Sequence, residues 1–296
     1  MDRRIYRPVD FITLFFILFL TYLTLLFHLQ IPGWTALVRE YLLLLSILVL
    51  AVFAASRSSH KLFDILHTFY PVIFVAIIFN SLSRLISYIN PHPVDPLLIR
   101  IDYFLFGNHP TLVLEKIAFP LLTEFSYFAY TSYYFLPTLL AVLWYLEKDW
   151  ERFDLYVTTV CFTYYLSYMG YIFFPAVGPR FTLAHVQTIE LKGAFFAEGI
   201  RNTLNFLEEL KYDAFPSGHT AVILITLFFS LKYSKKTFFF FLIPVLGLIF
   251  STVYCRYHYV IDVLAGIALA GLCLYLGPKI HCALKNRVGA WFTTLL

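Results

Sequence analysis

From Tyr212 to Asp262 the chain reads YDAFPSGHTAVILITLFFSLKYSKKTFFFFLIPVLGLIFSTVYCRYHYVID. Two polar islands stand at its ends, Ala214-Phe215-Pro216-Ser217-Gly218-His219-Thr220 and Cys255-Arg256-Tyr257-His258-Tyr259-Val260-Ile261-Asp262, and what lies between is predominantly apolar. A third island, Pro175-Ala176-Val177-Gly178-Pro179-Arg180, closes an earlier apolar run. Ionisable groups at the rim of membrane-embedded runs are expensive, so their presence there points to function. The three islands are expected to meet around a phosphate.

The rest of the chain sets that expectation in a membrane. Of its 296 residues 60% are hydrophobic, 20% aromatic and only 14% charged, where a soluble domain carries about a quarter charged residues. A crossing helix needs roughly 20 mostly apolar residues. Runs of that kind lie at about 11–29, 41–55, 65–89, 121–146, 155–174, 219–233, 238–254 and 259–276. The fold expected is an all-α, polytopic transmembrane helical bundle of about 6–8 spans, a single domain over 1–296 with its catalytic motifs within 173–266. Arg3, Arg4 and Arg7 precede the first run, which is too long for a signal peptide and reads as an uncleaved span.

The net charge of +4 is spread without a basic stripe, so no nucleic-acid partner is expected. With eight spans and the N-terminus inside, thirteen of 22 Lys and Arg fall inside. That bias orients a membrane protein with its N-terminus cytoplasmic, which puts all three islands on the periplasmic, extracellular or luminal side. Cys161, Cys255, Cys273 and Cys282 are scattered and form no CxxC pair, so they read as small apolar fillers; Cys255 is set apart by its place beside an island.

Two connectors stand out. Residues 90–120 hold Pro91, Pro93, Pro96 and Pro110 and mix Asp95, Arg100 and Asp102 with Leu97, Leu98, Ile101, Phe104 and Phe106, the pattern of an amphipathic segment in the membrane interface. It is equally a surface connector or a wall of the site. Residues 176–215 form the longest polar stretch, in which Leu204, Leu207 and Leu210 suggest a short amphipathic helix. Tyr127, Tyr130, Tyr133, Tyr134 and Tyr145 crowd one run. They read first as interfacial anchors, and second as lining for a headgroup pocket. Glu124 and Arg84 fall near span ends, where pairing or snorkelling accounts for them.

The islands carry a coherent chemistry. His258 and Asp262 are four residues apart, on one face of a helix that starts near His258. A carboxylate there accepts from one imidazole nitrogen and leaves the other as a free lone pair, competent as nucleophile or base. Ser217 is a good N-cap, and the amides that follow it form an anion site. Gly218 lets backbone approach an oxyanion. His219 would stand in the first turn, able to protonate a leaving oxygen. Arg180 and Arg256 supply planar forks for phosphate oxygens. The imidazoles are expected to face each other across a gap one phosphoryl group wide. The chemical rival is a metal site of His219, His258 and Asp262, with Asp213 as a further ligand, but no carboxylate cluster supports it. No metal and no cofactor is expected.

In that order, Gly178-Pro179-Arg180, Pro216-Ser217-Gly218-His219 and the stretch 251–266 with Tyr254-x-x-x-His258-x-x-x-Asp262-Val263-Leu264-Ala265-Gly266 resemble the type 2 phosphatidic acid phosphatase superfamily, which also holds the vanadium haloperoxidases. The segment from Asp102 to Gly107, with Pro110, looks like the branch of inositolphosphoceramide synthases. The resemblance implies that His258 attacks phosphorus, Asp262 orients it, His219 protonates the leaving group, and Arg180, Ser217 and Gly218 hold phosphate oxygens. A phosphohistidine follows, released by water or by an acceptor alcohol. Two positions depart from the family pattern. Its usual lysine is Phe173 here, and its usual arginine six residues before the nucleophile is Thr252, for which Arg256 is the candidate replacement. The function expected is a metal-independent membrane lipid-phosphate phosphatase. The alternatives are a phosphotransferase that passes a phosphoryl headgroup to or from a lipid alcohol, and a non-catalytic lipid-binding or transport protein on the same scaffold. The partners expected are a lipid phosphate and the surrounding membrane lipids.

Overall fold

A computed structural model describes residues 6–58, 60–207 and 211–295, with side chains except those of 207 and 287–295. Arg3, Arg4 and the end of the leucine pattern at Leu210 lie outside the described residues. The first half forms α1 (Pro8–Leu26), α2 (Trp34–Arg57), α3 (Lys61–Leu82), α4 (Ile86–Ile89), α5 (Asp95–Phe106) and α6 (Pro110–Val113). The second half forms α7 (Pro120–Glu147), α8 (Trp150–Phe173), α9 (Pro179–Thr182), α10 (Ala197–Leu207), α11 (Gly218–Tyr233), α12 (Lys235–Tyr254) and α13 (Val260–Leu295). No strand occurs among the described residues, only an isolated bridge between Ala176 and Asp213. The chain is an all-α, polytopic helical bundle.

Each of the eight apolar runs coincides with a helix, and the ends shift for local reasons. In α1 the Asp10 carboxylate accepts the Arg7 N–H (2.8 Å) and Pro8 occupies the first turn, so the helix starts ahead of its apolar run. Gly33, at φ +67°, opens α2 well before its apolar run, and the exposed Arg39 is carried inside the helix. Among the described residues five helical stretches are long and apolar enough to cross a membrane: Pro8–Leu26, Trp34–Arg57, Lys61–Ile89, Lys235–Tyr254 and Val260–Asn286. The others are α7 and α8, of 28 and 24 residues and rich in Tyr, Thr and Ser, and α11, of 16 residues. These three pack on one another inside the bundle.

Directions alternate, so the bundle has two distinct ends. At one end Arg7 donates through Nε to Asp154 (2.6 Å), Arg152 lies 5.0 Å over the Tyr233 ring, and Lys285 meets Glu151 (3.2 Å). At the other the hydroxyls of Thr123 and Tyr254 pair (2.8 Å) and Ser217 donates its N–H to the Asp262 carbonyl (3.0 Å). The three polar islands share this second end.

Candidate active site

Ser217 caps α11 as its sequence context requires. Its Oγ accepts the N–H of Thr220 (3.2 Å) and the Thr220 hydroxyl (3.0 Å), which fixes the first turn and places His219 in it. Gly218 has a packing reason to be glycine. A Cβ there would sit 2.3 Å from the Tyr171 hydroxyl of α8, so the close approach expected toward an oxyanion is made to a neighbouring helix.

The second island, Cys255 to Asp262, reverses direction so that α13 can begin. Arg256 takes φ +66°, and the N–H groups of Tyr257 and His258 both donate to the Thr252 carbonyl (3.0 and 2.9 Å). His258, 2% exposed, then points into the bundle. Its Nδ1 lies 2.8 Å from the Ala214 carbonyl and 3.4 Å from Asp262 Oδ2. The carbonyl is thus the nearer acceptor and Asp262 the second. Asp262 spends Oδ2 on the Tyr259 N–H (2.8 Å), and its buried Oδ1 has no hydrogen-bond partner among the described residues. This network assigns the His258 proton to Nδ1 and leaves Nε2 as the lone pair.

That lone pair faces His219. His258 Nε2 and His219 Nδ1 are 3.3 Å apart, with ring centroids at 5.4 Å and planes at 65°. On its other side His219 Nε2 meets the Tyr130 hydroxyl (2.9 Å), and the Tyr133 ring lies 4.2 Å from the imidazole. The expected gap is therefore closed by direct contact between the two rings. That 3.3 Å separation falls within the about 3–3.5 Å at which reacting atoms stand in a near-attack approach.

What aligns the islands is α5, in the segment whose sequence reads as an interfacial amphipathic stretch and equally as a surface connector or a wall of the site. Asp95, 2% exposed, accepts the N–H groups of Val177 and Gly178 (2.9 Å each) and the Tyr259 hydroxyl (2.8 Å). Asp102, two turns on, accepts the N–H groups of Val260 and Ile261 (2.8 Å each). It caps α13 from another helix, beside the positive end of that helix dipole. Burial raises the Asp102 carboxyl above its ordinary range, against the two amides and His109. The opposite face of α5 presents exposed Leu97 and Phe104, as an interfacial helix should. Gly178 completes the junction at φ +89°, where a Cβ would lie 2.5 Å from the Tyr257 carbonyl.

The two arginines part company. Arg180 donates its N–H to the Arg256 carbonyl (2.8 Å), stacks over Tyr257 (4.7 Å) and reaches Asn205 through Nη1 (2.6 Å). Its buried Nε has no hydrogen-bond partner among the described residues. Tyr257 in turn stacks on Tyr130 (4.5 Å), so Arg180 is joined to His219 through two rings. Arg256 does not occupy the position expected of a phosphate clamp. Its guanidinium is engaged by Glu115 (2.7 Å), Gln187 (3.0 Å) and the Ile189 carbonyl (2.9 Å), so it anchors the long loop. Glu124 anchors the same loop, accepting the N–H groups of Ala194, Phe195, Phe196 and Ala197, while Arg84 pairs with Glu40. Burial pushes the Cys255 thiol up, which suits a filler rather than a nucleophile. Among the described residues no group of three or more His, Cys, Asp or Glu is arranged to hold a metal ion.

A profile of the PAP2 superfamily matches residues 97–276, the stretch that carries every island and Asp102, while Asp95 lies two residues ahead of it. The chain belongs to the PAP2 superfamily. It is an integral membrane protein of a superfamily of phosphatases and phosphotransferases. It is 28% identical over 175 residues to a PA-phosphatase related-family protein of Dictyostelium discoideum, a match covering 52% of this chain and 32% of that relative. The chain thus spans about a third of the relative's length. No solved structure matches. Helices α1, α2 and α3 lie outside the PAP2 match.

Sequence reading missed the Ala214 carbonyl, and it named Tyr130, Asp95 and Asp102 without the partners they meet. Tyr130 and the two aspartates were visible as polar residues in or beside apolar segments. Nothing local tells an aspartate that caps a distant helix from one that faces water.

Proposed function

We propose that this chain cleaves a lipid phosphate ester through a phosphohistidine at His258. The reading rests on one observation: His258 Nε2, freed by the bond from Nδ1 to the Ala214 carbonyl, lies 3.3 Å from a second imidazole. In the first step a bond forms from His258 Nε2 to phosphorus as the ester P–O bond breaks, and the leaving oxygen takes its proton from His219. In the second, water gives its proton to His219 and its oxygen to phosphorus, and His258 is restored. Asp262 stabilises the charge that gathers on His258. The positive end of the α11 dipole, at Gly218 and His219, and the Arg180 guanidinium stabilise charge on the phosphoryl oxygens. No step requires a metal. The site lies on the non-cytoplasmic face, because Arg57, Lys61, Lys148, Arg152, Lys232, Lys235 and Lys236 gather at the other end.

Incubation of purified protein with phosphatidic acid tests the reading. Release of inorganic phosphate that persists in EDTA and is lost in His258→Ala supports it; full inhibition by EDTA with rescue by a divalent ion overturns it. For the side, Leu29→Cys, in the exposed turn at the catalytic end, should react with an impermeant maleimide on intact cells.

A second reading is supported by the burial of the centre. With His258 at 2% and Asp262 at 0% exposure, the acceptor of the second step is a lipid alcohol and the product a new phospholipid. Phosphate-labelled phosphatidic acid supplied with and without ceramide separates the two by whether free phosphate or a new lipid, ceramide phosphate, carries the label.

A further inference from the structure

One wall of His219 faces a feature the catalytic reading does not use. A cavity of about 340 Å3 lies between α3, α7 and α8 and has His219 among its lining residues. Helices α3 and α7 each pack on α8, with little contact between themselves, so the cavity is a fissure with α8 as its floor. Tyr168 of α8 donates to the Val75 carbonyl of α3 (3.1 Å), which ties floor to wall. Beyond its end away from the catalytic site Phe69 of α3 meets the edge of Tyr145 of α7 (5.2 Å, 63°). On the outer lips Val72 and Tyr134 are exposed. Asn80 stands eight positions beyond Val72 along the α3 wall, a rise of about 12 Å.

The geometry points to this fissure as the seat of a hydrocarbon chain belonging to the alcohol side of the phosphate ester, entering from the bilayer between α3 and α7. This inference rests on the catalytic reading, which makes His219 the donor to the leaving oxygen. A group bonded to that oxygen extends away from phosphorus, past His219, along the fissure. The lining matches such an occupant. Val72, Val75, Ala76 and Val157 give apolar walls, while Asn80 and Tyr171 stand toward the His219 end with the polar part of a lipid. A sugar phosphate or other soluble ester would leave those walls unmatched. The α3 wall lies outside the PAP2 match, so the fissure is finished by a helix beyond the matched stretch.

The test uses the full chain in lipid nanodiscs, with Ala76→Trp filling the fissure. The quantity read is the ratio of kcat/KM for dioleoyl to that for dibutanoyl phosphatidic acid, measured in one preparation so that the folded fraction cancels. The ratio is expected to fall about tenfold or more, since each methylene displaced from apolar contact weakens binding about fourfold. A ratio equal to wild type overturns the proposal. Should the variant be inactive on both, photolabelling of the wild type with a diazirine-bearing long-chain phosphatidic acid decides. Cross-links on α3 residues 72–80 or α8 residues 157–171 support the fissure, and cross-links confined to outward positions such as Phe53 and Ile243 sink it. A wild type that turns over neither ester removes the catalytic reading instead, and the photolabel still reports on the fissure.

Discussion

Two buried clusters of the same residue types sit at opposite ends of the bundle. At the end away from the islands, Asp10 accepts from the Arg7 N–H, from the Tyr70 hydroxyl and from His67 Nε2 (3.0 Å), and Arg7 pairs with Asp154. Pro71 belongs to the same arrangement. It has no N–H for the His67 carbonyl one turn back, and Arg7 Nη1 takes that carbonyl instead (3.1 Å). Charge there is neutralised in pairs, and three helices are tied together. At the catalytic end the charged and titratable groups are held mainly by backbone. His258 is fixed by a carbonyl, while Asp262, Asp95 and Asp102 are fixed by amides. Fixed dipoles orient a group without using up its reactivity, whereas an ion pair consumes it. On the proposed reading the partner, rather than the residue type or its burial, separates a structural histidine from one that attacks.

Substitutions that move one end without the other sharpen this contrast. The largest effect is expected from His258→Ala, which should lower phosphate release by roughly four orders of magnitude and leave the melting temperature near wild type. Next comes Asp154→Ala, which strands the buried Arg7 guanidinium. Breaking a buried pair of this kind costs about 3–5 kcal/mol, read as a lower midpoint of thermal unfolding in detergent, with turnover per folded molecule retained. A dead but fully folded Asp154→Ala would erase the distinction between the two ends. Asp102→Ala stands between them. Two helix-cap amides lose their acceptor, at about 1–3 kcal/mol, and a shift of α13 carries His258 and Asp262 with it. The expected result is turnover lowered by about tenfold to a hundredfold with KM little changed, partly recovered in Asp102→Asn. Smallest is Arg256→Gln, which should speed proteolysis within 183–196 and lower turnover by only about threefold, as a loop anchor rather than a phosphate ligand would. A loss as large as that of His258→Ala would restore the clamp role.

The sequence by itself determined the helices, the islands and their phase. A run of apolar residues commits its backbone to internal hydrogen bonds in lipid. Ser217 caps its own next turn, and four residues put His258 and Asp262 on one face. All of these are set within a few residues along the chain. Only the tertiary structure decided what the islands lean on: Asp95 and Asp102 reaching amides 82 and 158 residues away, Tyr130 on His219, the Ala214 carbonyl on His258, and α3 closing the fissure beside them. Such bonds join elements that meet only after the bundle packs, and an isolated aspartate or tyrosine carries no local mark of the distant group it will meet.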